Sequence, residues 1–336
     1  MTSHTGGSTW GRDAAIASLV LVVLALLPFA GDKGLVFLAG TLTLHVIIGL
    51  SWNLMFGRTG LVSFGHASFF AIGGYAFAWV AKVSPGLHPL LLLAAAGLFG
   101  AFVAFIVGVI ALRRSVGVYF AILTLALGQI VYLLLSYIPA LGREDGFTGI
   151  QRPRLALGVA SIDLGSGDNY YYFIVVMCGV LAAGLWWVMH GRIGRVFKSI
   201  QQDAERAAFL GINIQAYRIG SFAIASGTTA IAGALYAPWL QLLTPEVAHW
   251  TFSARPILYT LLGGVQSFWG PAVGALVFAI LEYGTRTLHG LSEIVIGSIL
   301  LLVVLAFPGG LLGGLSRLVG RIRRNPPIAA RSEIVR

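Results

Sequence analysis

Ser63 and His66, three residues apart with Ser68 close behind, are the nearest approach in this 336-residue sequence to a nucleophile beside a base. On a helix that spacing places both on one face, where an imidazole can reach a hydroxyl proton. A triad also needs a group to orient the imidazole, and no carboxylate lies within the segment. A membrane enzyme built on Ser63 and His66 is therefore the least favoured reading. The seven histidines (His4, His45, His66, His88, His190, His249 and His289) are scattered, with no HExxH and no carboxylate at helical spacing, so a metal site lacks ligands. None of the three lysines, Lys33, Lys82 and Lys198, follows a glycine, which excludes a GxxxxGK[ST] phosphate loop. The single cysteine, Cys178, excludes an internal disulfide or thiolate cluster. The chain is expected to bind no cofactor of its own.

The elements that must carry these residues are apolar. Hydrophobic residues make up 57% of the chain and charged residues 10%, against about 25% charged in soluble domains. The expected fold class is an all-α integral membrane protein, because a crossing helix takes roughly 17 to 25 apolar residues. About ten membrane segments are read at 14–30, 35–56, 63–81, 87–112, 116–139, 170–189, 219–240, 250–263, 269–288 and 294–307. Residues 142–169 read as an irregular external loop rich in charge, glycine and proline. A signal-peptide reading of the first segment fails at Pro28, Phe29, Ala30 and Gly31, a poor small-residue cleavage site.

The net charge of +10 is a record of orientation and not of nucleic-acid binding. With both termini cytoplasmic, 15 of the 22 basic residues fall inside. That count requires residues 256–281 to fold back on themselves, and the run LLGGVQSFWGP supplies the break, since Gly263, Gly264, Gly270 and Pro271 all weaken a helix. The layout is thus a cytoplasmic segment 1–13, a transmembrane domain 14–312 and a basic cytoplasmic tail 313–336. Ion-coupled transport is disfavoured, because Glu282 is the one acidic candidate in the membrane segments.

Two further features bear on function. The cytoplasmic loop 191–218 contains Ser199 as a candidate helix cap, helix formers over 201–209, and a glycine stop at Gly211. Its apolar strip suits either docking on another protein or packing on its own bundle. Second, Gly60, Ser63 and Phe64 in GLVSF match Gly264, Ser267 and Phe268 in GVQSF. Paired interruptions of this kind mark transport pathways built from repeats, and glycine-rich helix packing is the plainer alternative.

The stretches GRTGLVSFGHASFFAIGGYAF, GVYFAILTLALGQIVYLLL, DGFTGI, GRIGRVFKSIQQDAERAAFLGIN, AIAGALYAP and LLGGVQSFWGPAVGALV, in this order, resemble the M-type permease subunits of branched-chain amino-acid ABC transporters. The resemblance runs from about 35 to 312. It implies a permease that pairs with a second homologous permease and binds two cytoplasmic ATP-binding subunits, which carry ATP and Mg. It also implies receipt of solute from a periplasmic binding protein in a bacterial inner membrane. Ser199, Asp203, Ala204, Ala207, Ala208, Leu210 and Gly211 fall on the family's ATPase-coupling positions. Ser63, Gly65, His66, Gly73, Gly74, Gly263, Gly264, Ser267 and Gly270 fall on its glycine-rich stretches and are the candidates for the translocation path or its wall. Phe147, Thr148 and Gly149 match the external loop, facing the partner permease or the binding protein. Related permeases serve branched-chain amino acids, urea or short amides, and a self-sufficient carrier or channel stands as the remaining alternative.

Overall fold

The computed structural model of the chain describes residues 6–113, 117–157, 160–285, 291–307 and 309–314. The expected basic tail lies outside them from residue 315 on, as do residues 1–5 of the N-terminal segment. The described helices are α1 (Gly6–Leu26), α2 (Lys33–Thr59), α3 (His66–Val83), α4 (Pro89–Ala111), α5 (Val118–Tyr137) and α6 (Gly167–His190). They continue with α7 (Arg192–Gln202), α8 (Ala204–Phe209), α9 (Ile214–Leu240), α10 (Trp250–Gly263), α11 (Gly270–Gly284) and α12 (Ser292–Ala306). Six of them (α1, α2, α4, α5, α6 and α9) are long and apolar enough to cross a bilayer, while α11 and α12 are shorter apolar helices.

Local chemistry sets several boundaries. Asp32 caps α2, its carboxylate accepting from the amides of Gly34 at 2.8 Å and Leu35 at 3.2 Å. Ser166 caps α6 and Asn213 caps α9 in the same way. At the far end of α2, Gly60 adopts φ 71°, and its amide closes the last turn on the Phe56 carbonyl.

The bundle is built around α9, which packs on α3, α4 and α2. Its 27 residues, about 40 Å at 1.5 Å per residue, are mostly small and buried. A β-carbon on Gly73 of α3 would overlap the Ala230 carbonyl of α9, and one on Gly233 of α9 would overlap the Phe70 carbonyl of α3. The two backbones therefore touch, the contact that small residues allow where lipid provides no hydrophobic drive between helices. Outward-facing positions are the reverse: Leu19, Leu98, Ile122, Val176 and Ile280 are all largely exposed. A surface of this kind is suited to lipid or a partner and not to water.

The external loop is more ordered than expected. β1 (Phe147–Thr148) pairs antiparallel with β4 (Leu242–Leu243), and β2 (Arg154–Leu157) pairs with β3 (Ala160–Asp163). The first ribbon ties the loop to the α9–α10 connection, where the Tyr75 hydroxyl also donates to the Leu243 carbonyl at 2.9 Å. The helix α1 is peripheral. It is held to α6 by hydrogen bonds from Tyr171 to the Leu24 carbonyl, from Tyr172 to the Ala25 carbonyl and from the Trp186 indole to Asp13.

Candidate functional site

The expected third segment, 63–81, does not begin as a helix. Residues 60–65 run without helical structure between α2 and α3, so Ser63 and Gly65 precede the helix and His66 opens it. Leu61, Ser63 and Gly65 are buried, and backbone groups of the stretch find specific partners. The Ser63 carbonyl accepts from the Trp52 indole at 3.1 Å, and the Phe64 amide donates to the Thr124 hydroxyl at 3.2 Å. The Gly65 amide donates to Ser63 Oγ, and the Ala67 amide donates to Ser253 Oγ of α10 at 2.9 Å. A β-carbon on Gly65 would overlap the Thr124 carbonyl of α5, so the break is sealed by backbone contact.

A second break repeats the first. Six residues, 264–269, separate α10 from α11, the same number that separate α2 from α3. Gly264, the counterpart of Gly60, again has positive φ, at 119°. Ser267, the counterpart of Ser63, again offers its carbonyl to a side chain of α2, here Asn53 Nδ2 at 3.1 Å. Neighbouring residues of one helix, Trp52 and Asn53, thus each hold the matching carbonyl of one break. The GxxSF similarity in the sequence corresponds to a repeated structural unit. Gly263 and Gly270 are spent on the close approach of α10 and α11, and Gly264 abuts Gly309 and Gly310.

His66 sits at the centre of a polar knot. Its Nε2 lies 2.9 Å from Ser51 Oγ of α2 and 2.7 Å from Thr229 Oγ1 of α9, and the two hydroxyls are 2.7 Å apart. All three side chains are fully buried. Each hydroxyl also reaches a carbonyl of its own helix, Ile48 for Ser51 and Ala225 for Thr229. We assign the proton to Nε2: both hydroxyl protons are then free for the carbonyls, and the imidazole donates into the pair. The alternative would leave Nδ1–H as a donor with no partner, because Nδ1 has none. No hydrogen bond joins Ser63 to His66 among the described residues, and the knot of Ser51, His66 and Thr229 fastens α2, α3 and α9 to one another. Glu282 is paired with Arg255 at 3.6 Å.

Of the remaining candidates, Gly73 and Gly74 face α9, as part of the packed interior. Ser51, Trp52, Asn53, Thr124, Thr229 and Ser253 were not singled out from the sequence. The only signal they carry there is a polar side chain in an apolar helix, and Ser or Thr in such a place commonly bonds back to its own turn.

The loop 191–218 forms two helices and not one. Ser199 lies inside α7 with its hydroxyl on the Val196 carbonyl. Asp203 is the cap instead: its extended backbone breaks the chain, and its carboxylate accepts from the Arg206 amide at 3.0 Å. The same carboxylate pairs with the Arg206 side chain at 2.7 Å. Helix α7 buries Gly194, Phe197 and Ile200 against α2, α6 and α9. Within α8, Ala207 is turned inward at 2% exposure, Ala204 is half-buried and Ala208 is exposed. The residues that stand out are Phe209 and Leu210, 89% and 80% exposed, directly before Gly211 at φ 80°.

Two broken helices on a common strut, fully buried polar pins and an apolar surface define a multi-pass membrane protein of the transporter class. Residues 34–304 match the family described as the permease component of the branched-chain amino acid transport system. The chain belongs to that family. It is 26% identical over 327 residues to the high-affinity branched-chain amino acid transport system permease protein LivM of Escherichia coli (strain K12), covering 91% of this chain and 76% of that one. The corresponding protein of Salmonella typhimurium matches to the same extent. A probable branched-chain amino acid transport permease protein LivM of Methanocaldococcus jannaschii is 25% identical over 319 residues, 80% of this chain and 90% of that one. No solved structure matches the chain. The helix α1 precedes the matched region.

Proposed function

We propose that this chain is one of two paired permease subunits of a binding-protein-dependent ABC importer, moving branched-chain amino acids or a similar small zwitterion inward across a bacterial inner membrane. The end of the bundle bearing α7 and α8 faces the cytoplasm, as do both termini, and ten membrane segments make the crossing. ATP and Mg are bound by two separate ATPase subunits. A binding protein delivers solute at the opposite end, where the β ribbons lie.

The observation that carries this reading is the geometry of α8. A six-residue helix presents Phe209 and Leu210 to the outside while Ala207 anchors it inward. Two bulky apolar side chains at the end of a short helix fit a socket on another protein. Force applied there passes through α7 to α2, the helix whose Trp52 and Asn53 hold the two breaks. Alternating access would follow from movement of α2 against α9. The pairing of Glu282 with Arg255 argues against an ion-coupled carrier, which needs a free intramembrane charge.

The test is Phe209→Asp with Leu210→Asp, at positions whose exposure leaves folding intact. Membrane insertion should be normal, and ATP-driven uptake and co-purification of the ATPase should fall more than tenfold, as expected for two interface anchors. Uptake at the unsubstituted rate would remove the docking assignment. Ala207 is unsuitable for this test, because an aspartate there would enter the protein's own interior.

A further inference from the structure

At the end of the bundle away from α8, a cavity of about 300 Å³ lies between the start of α2, the start of α6 and the last turn of α9. That volume is at the lower limit of small-ligand sites. Its walls carry two cations and one carboxylate: Lys33, Arg152 and Asp168. Arg152 is rigidly held. Its Nε donates to the Pro238 carbonyl at 3.4 Å and its Nη1 to the Gly165 carbonyl at 3.1 Å. Its guanidinium carbon lies 5.8 Å from both the Tyr170 and Trp239 ring centroids. None of these contacts neutralises its charge. The ion pairs of the described residues are Arg206 with Asp203 and Arg255 with Glu282, so Lys33, Arg152 and Asp168 share a cavity without pairing to one another. The floor is aromatic, with Phe37 stacked on Trp239 at 5.4 Å. Beside the opening, α2 presents Leu35, Phe37 and Leu38 half-exposed, an apolar strip continuous with the lining.

Two unpaired cations beside one unpaired carboxylate, over aromatic faces, complement a ligand that carries an anionic group and an ammonium together. We propose that this cavity is a binding site for a small zwitterion, its carboxylate or phosphate held between Lys33 and Arg152 and its ammonium held by Asp168. Two sources present this chemistry: the headgroup of phosphatidylethanolamine, whose acyl chains would run along the strip of Leu35, Phe37 and Leu38, or a free amino acid. The site stands whether or not the transport reading of α8 holds.

The experiment is native mass spectrometry of the full-length chain in detergent, titrated with phosphatidylethanolamine and with phosphatidylglycerol, which lacks the ammonium. The unsubstituted chain should retain phosphatidylethanolamine over phosphatidylglycerol by about two- to fivefold, the range that an exposed charge pair supplies. Asp168→Asn should abolish that preference without weakening phosphatidylglycerol, and Lys33→Gln should weaken both lipids. Both side chains are exposed, so an unchanged melting temperature serves as the folding control. Displacement of phosphatidylethanolamine by millimolar leucine would identify a free amino acid as the occupant, and its retention would identify the lipid. An equal headgroup ratio in the unsubstituted chain and in Asp168→Asn, with no effect of leucine, would overturn the assignment.

Discussion

The knot of Ser51, His66 and Thr229 makes a quantitative prediction, because His66 Nε2 has two acceptors within reach and needs one. Thr229→Val keeps the side-chain shape and leaves Ser51 Oγ at 2.9 Å to take the imidazole proton. The loss should be about 0.6 kcal/mol, the average for an interhelical hydrogen bond in a membrane protein. Ser51→Ala leaves Thr229 in the same role, at a similar cost. Together the two substitutions strand a fully buried N–H, a penalty of about 1–3 kcal/mol that neither single change incurs. The double-mutant cycle should therefore show a coupling of about 1–2 kcal/mol beyond additivity. Reversible unfolding in mixed micelles, followed by tryptophan fluorescence, provides the measurement. Repeating the cycle in a His66→Ala background should shrink the coupling to the residual Ser51–Thr229 contact. Additivity within about 0.5 kcal/mol in the unsubstituted background would refute the shared-proton account.

The other consequences are simpler. Trp52→Phe removes the donor to the fully buried Ser63 carbonyl and should destabilise by about 1–3 kcal/mol, whereas Asn53→Leu should cost about 1 kcal/mol or less. The half-buried Ser267 can recruit water, and the amide oxygen of Asn53 has no partner to lose; the same unfolding assay ranks the two. Gly233→Ala forces α9 away from Phe70 and should lower the yield of folded protein sharply, by about 1–3 kcal/mol or more of overpacking. Gly184→Ala, with nothing within 4 Å of the added carbon, should leave the yield unchanged when the two are compared by size-exclusion chromatography.

The long apolar helices were legible because their signal is one of composition: uninterrupted runs such as α4 and α6 need no tertiary information. The start of α3 was missed by three residues, since nothing local forbids a helix at Ser63. The bonds that hold that stretch out of the helix come from Trp52 on α2 and Thr124 on α5, outside the segment itself. The split of the loop 191–218 was hidden for a related reason. Ser199 and Asp203 are both acceptable caps, and the burial of Phe197 and Ile200 against the bundle settles the choice by keeping α7 helical through Ser199. The two GxxSF segments were visible as a faint repeat, but their significance rests on Trp52 and Asn53, which no pattern in either segment encodes.

Those two side chains leave α2 in directions about 100° apart, the turn between successive residues of a helix. Since both grips are mounted on one rigid rod, a twist of α2 displaces the two linkers at once, in different directions. In the proposed transport cycle the rod would act like a camshaft with two lobes, setting both linkers in motion from one shaft.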